Sequence, residues 1–127
     1  MENHLKRIDG RKRLQKIVFM LQENFKTEFN YTFTSYLYGP YSPQLQNDLD
    51  ILAQTGYLRE TRLPPTYCYK ITDRGRKMAR KIEKELGKRM VAEFYRFIDE
   101  LNSVSTEELV ANSKTIMARK VQHDIFG

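Results

Sequence analysis

Tyr36-Leu37-Tyr38-Gly39-Pro40-Tyr41-Ser42-Pro43-Gln44-Leu45, running on to Gly56-Tyr57-Leu58, is the stretch whose reading decides the fold. Gly39-Pro40 is a turn signal. Ser42-Pro43 sets a good N-cap before a proline that suits the first helical position, so a helix starts there. Its apolar face is Leu45, Leu49, Leu52 and Ala53, with Ile51 to one side. Thr55-Gly56 ends it, Gly56 suiting the left-handed position beyond a helix C-terminus.

Toward the N-terminus, residues 1–10 read as a polar, basic arm ending at Asp9-Gly10. A helix is predicted from about Arg11 to Asn24, with Leu14, Ile17, Val18, Leu21 and Phe25 at the spacing of one buried face. Phe19 and Met20 broaden that stripe, so the helix should pack on two sides. Phe29, Tyr31 and Phe33 alternate with Asn30, Thr32 and Thr34, which predicts a short half-buried strand. The residues left between it and Ser42 are too few for a full helix.

Toward the C-terminus, two extended runs from Tyr57 to Thr72 are joined by Pro64-Pro65 and read as a hairpin. Tyr57, Tyr67, Tyr69 and Ile71 offer it a buried face, which a lone hairpin needs. Thr72 or Asp73 caps the next helix, whose stripe is Met78, Ala79, Ile82 and Leu86. Gly87 marks a break or kink. Val91, Phe94, Ile98 and Leu101 then follow at the spacing of a helix-pairing seam, either a homodimer interface or packing on the chain's own domain. Ser105-Thr106-Glu107-Glu108 is a capping box opening a last helix to about Arg119, with a fraying tail beyond Val121.

The order helix, strand, turn, helix, hairpin, helix predicts an α+β, mainly α fold: a winged helix-turn-helix with additional C-terminal helices. A single domain is expected, divided into a basic arm (1–10), a winged-helix core (11–74) and a helical extension (75–127) packed on the core or used for dimerisation. The helix-turn-helix should be degenerate, given the short interval before Ser42.

The runs Leu14-Gln15-Lys16-Ile17-Val18-Phe19, Tyr36 to Leu45, Asn47-Asp48-Leu49, Gly56-Tyr57-Leu58 and Ile71-Thr72-Asp73-Arg74-Gly75 together resemble the YwgA-like winged-helix proteins of bacteria and archaea. Leu101-Asn102 with Ser105 to Leu109 resembles the same pattern, so the likeness spans roughly 11–110. More distantly, the Leu-Gln-Lys opening and the Tyr-Gly-Pro turn are similar to the Panacea (SocA-like antitoxin) domains. The resemblance implies a winged-helix fold and a DNA-binding or transcription-regulating role, although fold alone does not establish function.

Composition narrows the classes. The chain has 127 residues, 40% hydrophobic and 30% charged, which fits one globular domain rather than a disordered chain. No signal-like stretch and no run of ~20 apolar residues is present, so a cytoplasmic protein with no membrane partner is expected. Cys68 is the only cysteine, and His4 and His123 lie far apart, so no internal disulfide and no cysteine or histidine metal site can be built. No nucleophile–base pair or phosphate loop is found, so no enzyme and no cofactor is expected.

The net charge of +6 is unevenly spread: net +4 over 1–16, −3 over 17–58, +7 over 59–90 and −2 over 91–127. A basic balance favours nucleic acid, an acidic protein surface or an anionic membrane as partner and does not choose among them. With the winged-helix order, two basic segments flanking an acidic one make double-stranded DNA the leading expectation. The candidate contacts are Arg11, Lys12 and Arg13 with Lys6 and Arg7 in the arm, Arg59, Arg62 and Lys70 in the wing, and Arg74, Arg76, Lys77, Arg80 and Lys81 opening the next helix. On the helix from Ser42, Gln44, Gln46 and Asn47 are the candidate base readers, since Gln and Asn can bond adenine bidentately. That helix has no Lys or Arg and carries Asp48 and Asp50, which would oppose phosphates unless paired to neighbouring basic residues. Tyr36, Tyr38 and Tyr41 are either a stacking platform for single strands or, more commonly for such rings, packing beneath the first helix. A protein-interaction module of antitoxin or adaptor type is the alternative function.

Overall fold

A computed structural model describes residues 7–25, 30–63 and 66–126. The protein is mainly helical, with five helices and two small antiparallel sheets among the described residues. In chain order these are β1 (Arg7–Asp9), α1 (Arg11–Asn24), β2 (Thr34–Tyr36), β3 (Gly39–Tyr41), α2 (Pro43–Gln54), β4 (Leu58–Leu63), β5 (Thr66–Ile71), α3 (Asp73–Leu86), α4 (Lys88–Asn102) and α5 (Thr106–Phe126).

Local signals set most boundaries. The Ser42 hydroxyl accepts the Leu45 N–H at 3.1 Å and Pro43 follows it, so α2 starts as its sequence predicts. Thr72 caps α3 by accepting the Gly75 N–H at 3.1 Å, and Ser105 caps α5 by accepting the Glu108 N–H at 3.1 Å. Gly87 separates α3 from α4 at a φ of 88° that favours glycine.

α1 is the centre of the molecule. It packs against α4, α5, β3 and the larger sheet. One of its faces places Ile17 and Leu21 with Ile98, Leu101 and Leu109. Another places Leu14 with Leu45, Leu49 and Tyr69, bordered by Val18, Tyr31 and Phe33. The expected two-sided packing is exceeded, because Gln15 and Lys16 are buried as well.

Several expectations are corrected. Residues 7–9 are not a free arm: they form β1, paired antiparallel with β5 in a sheet of order β1-β5-β4. Lys6 and His4 lie outside the described residues. The strand expected over 29–34 lies instead at Thr34–Tyr36, where β2 pairs with β3. The part of the expectation that falls on Phe29 lies outside the described residues. Tyr31 keeps its inward position without a strand partner because Gln22 stands in for one. Its amide donates to the Tyr31 carbonyl at 2.7 Å, and its carbonyl oxygen accepts the Tyr31 N–H at 2.9 Å. Between α1 and α2 the described residues hold the β2–β3 hairpin and no helix. The last helix runs to Phe126 rather than stopping near Arg119.

Of the seam Val91, Phe94, Ile98 and Leu101, three residues pack on the chain's own domain. Ile98 and Leu101 are buried in the core, and the Phe94 ring lies 4.3 Å from that of Phe25. Ile98 and Leu101 are thus committed to the chain's own core, while Val91 and Phe94 are half-buried.

Gln15, two helical turns earlier on the same side of α1, repeats the Gln22 device on the α2 cap. It donates to the Ser42 carbonyl at 3.0 Å and accepts the Ser42 N–H at 2.9 Å, with its side chain fully buried. Replacing Gln15 with leucine leaves a buried N–H without an acceptor, so a loss of about 2–3 kcal/mol is expected. Urea denaturation would measure it; an unchanged midpoint would show that the bridge carries no stability.

Candidate nucleic-acid interface

α2 turns Leu45, Gln46 and Leu49 inward. Gln44, Asn47, Ile51 and Gln54 are exposed at helical spacing and form its outer face. Gln46 is therefore not a base reader: its amide donates to the Asp50 carboxylate at 3.1 Å and to the Tyr69 hydroxyl at 3.2 Å. The two carboxylates are also drawn inward, by neutral donors rather than the basic neighbours expected. Asp48 accepts the Tyr31 hydroxyl at 2.7 Å. Burial and that bond push the Tyr31 hydroxyl up to about 12. The outer face of α2 is thus uncharged.

An open cleft of about 720 Å³ lies between α2 and β4, lined in part by Asp50, Gln54, Arg11, Arg59, Glu60 and Arg62. Gln54 was not singled out in the sequence as a contact; its signal is its place on the face of Gln44 and Asn47, one turn beyond Ile51. The cleft's floor is a charged network. Arg11 bonds Glu60 at 2.9 Å and the Tyr69 hydroxyl at 3.1 Å, with its guanidinium 3.9 Å from the Tyr67 ring centroid. Arg62 approaches the same Glu60 oxygen at 3.3 Å while its side chain stays 72% exposed.

Across the hairpin, Arg59 stands opposite Lys70 in the β4–β5 register, and Lys70 opposite position 7 in β1. Both Arg59 and Lys70 are exposed. Like charges directly opposite on a sheet repel, so this pair is held together by the fold at a cost. An anion laid across it removes that cost.

The remaining candidates are dispersed. Arg13 bonds the Thr106 hydroxyl at 3.3 Å and the Asn102 carbonyl at 3.2 Å, tying α1 to the α4–α5 connection. Lys12 points to the β2–β3 hairpin, 4.3 Å from the centroid of the Tyr38 ring. Arg74 lies over Tyr57, 4.6 Å from its centroid. Arg76 bonds the Asp73 carboxylate, which it holds below the usual carboxylate range. Lys77, Arg80 and Lys81 are exposed on α3. Tyr36 and Tyr38 do not pack beneath α1 but are exposed at the hairpin turn, and Tyr41 is half-buried.

Among the described residues no group of three His, Cys, Asp or Glu side chains could hold a metal ion. No described helix is long and apolar enough to cross a membrane. No protein-family model, curated protein or solved structure matches this chain.

Proposed function

We propose that this protein is a winged-helix DNA-binding protein and a transcriptional regulator, with α2 presented to the major groove and the β4–β5 hairpin as its wing. The observation that carries the reading is the cleft between α2 and β4, which Arg11, Arg59 and Arg62 line, with Lys70 exposed opposite Arg59 on the same hairpin. The order α1, α2, β4–β5, α3 supports it, as does the resemblance of the Tyr36–Leu58 stretch to YwgA-like winged-helix proteins. Phosphate contacts would come from Arg59, Lys70 and Arg62, which position the duplex. Gln44, Asn47 and Gln54 would meet base edges. Because the β2–β3 hairpin takes the place of the first helix of a helix-turn-helix, affinity would rest on the wing more than on the helix pair.

Duplex binding titrated by fluorescence anisotropy at rising salt tests this. Arg59→Ala with Lys70→Ala should weaken binding about tenfold or more and flatten the log–log salt dependence by about two, one for each lost phosphate contact. Arg89→Ala on α4 should change neither. The thermal midpoint of the double variant should not fall, because a repulsive pair has been removed. Absence of duplex binding at low salt, or an unchanged salt slope in the double variant, overturns the proposal.

A further inference from the structure

The turn joining β2 to β3 presents Tyr36, Leu37 and Tyr38 in succession, 57%, 76% and 57% exposed. Contiguous large apolar side chains left open to water mark interaction sites. A second observation comes from the backbone. Among the described residues β2 pairs with β3 on one side only, and all three of its residues are exposed. Its other edge therefore offers N–H and C=O groups to a further strand.

A third observation is charge. Lys12 lies against the Tyr38 ring. Lys16, only 2% exposed, donates to the Pro40 carbonyl at 3.0 Å. The Lys114 stem lies 3.5 Å from the place a Gly39 side chain would occupy. Among the described residues no ion pair holds any of these three lysines. The hairpin is also rigidly seated: Gly39 has a φ of 98°, and a Cβ there would stand 3.1 Å from the Ser113 hydroxyl. A preformed surface loses little freedom when a partner binds.

We propose that this hairpin docks an extended, acidic segment of a protein partner. The segment adds a strand along β2, covers Tyr36, Leu37 and Tyr38 with apolar side chains, and sets carboxylates against Lys12 and Lys114. Two features favour a peptide over a nucleic-acid strand. Leu37, the most exposed of the three, has no ring to stack on a base. The open strand edge supplies backbone bonds that a nucleotide chain cannot reciprocate in register. The proposal uses none of the wing and α2 residues of the proposed DNA contact, and Lys12, a candidate DNA contact in the sequence, turns to this hairpin instead; it stands without the DNA reading.

A random-peptide phage library panned on the whole protein tests it. Enriched sequences should alternate apolar and acidic residues. Binding of the synthetic peptides should fall about tenfold or more with Leu37→Ser or Tyr36→Ala and several-fold with Lys114→Glu, and stay unchanged with Arg59→Ala. Leu37 is the most exposed of the three, so Leu37→Ser should melt at the wild-type temperature, while Tyr36→Ala loses an edge-to-face contact with Tyr41 and should cost about 1 kcal/mol. Amide shifts in NMR spectra should centre on Thr34–Tyr36. No enrichment, basic consensus sequences, or peptides indifferent to Leu37→Ser overturn the proposal. Displacement of the peptide by oligothymidylate with the same variant sensitivity also overturns it, reassigning the hairpin to single-stranded nucleic acid.

Discussion

Adding one methyl group at position 75 is expected to destabilise the protein by roughly 3 kcal/mol, at the upper end for an overpacked site. Gly75 sits in the first turn of α3 and is buried. A Cβ there would stand 2.2 Å from the Tyr57 carbonyl oxygen and 2.8 Å from Cγ1 of Ile71. The isoleucine can turn aside. The carbonyl cannot, because it accepts the Thr72 N–H at 3.3 Å, and the Thr72 hydroxyl 3.1 Å away holds the adjacent Gly56 carbonyl at 2.6 Å. That same hydroxyl caps α3 through the Gly75 N–H. Relieving the clash therefore means drawing α3 off the hairpin and losing its cap. Helix propensity alone predicts the opposite sign, since alanine is favoured over glycine inside a helix by about 1 kcal/mol. Urea unfolding of Gly75→Ala decides between them, and a midpoint at or above wild type would show that the close approach is relieved without cost.

The second large effect concerns Lys16, whose ammonium is buried with one carbonyl acceptor. Burial first, then repulsion from Lys12 and Lys114, bring its pKa from 10.5 down to about 8. Below pH 8 the lysine is charged in both states and the folded protein bears the full penalty. Between about 8 and 10.5 the folded state has released the proton while the unfolded state still holds it, so stability rises with pH. The full rise corresponds to about 3 kcal/mol, at 1.36 kcal/mol per unit. Most of it should be visible by about pH 10. Tyr31, pushed up to about 12, acts in the opposite sense above that point, its contribution falling as pH rises. Lys16→Met removes the charge and keeps the length of the side chain, but leaves the Pro40 carbonyl without this donor, a loss of about 1 kcal/mol. The variant should be about 1–2 kcal/mol more stable than wild type at pH 7 and should lack the rise above pH 8. Unfolding curves at pH 7, 8, 9 and 9.5 would show it; a wild-type stability that falls over that range contradicts the assignment.

What could be read from the sequence was mainly what depends on near neighbours. The Ser42-Pro43 start of α2, the Thr72 and Ser105 caps and the Gly87 break each need only a few adjacent residues, and each lies where its local chemistry puts it. The strand expected through Tyr31 and Phe33 shows the boundary of that method. Alternation correctly indicated that both rings turn inward, but a glutamine one helix away satisfies the backbone, and no period in the chain announces that. Gln46 was misassigned for a similar reason. It lies between Leu45 and Leu49 on the buried side of α2, and its polar character hid a place that spacing would give an apolar residue. The basic residues diverge most. Arg11, Lys12 and Arg13 are consecutive and look equivalent, yet they reach the sheet, the β2–β3 hairpin and the α4–α5 connection respectively. Which charge stays available to an anion is fixed by contacts between residues far apart in sequence, as for Arg13 with Asn102, and for Lys120 with Glu23 at 2.6 Å.

α1 draws its buried surroundings from elements late in the chain, and Leu109 of α5 packs with its Ile17 and Leu21. On the ribosome α1 is made early and Leu109 long afterwards. The face that bears Ile17 and Leu21 must then wait, exposed, until synthesis has passed Leu109, a long loop closure that slows folding and leaves the nascent chain open to chaperones. Release of a chain cut before residue 106 should therefore yield an aggregation-prone product rather than a smaller working domain, and arrest of translation at that point would be visible as prolonged chaperone occupancy.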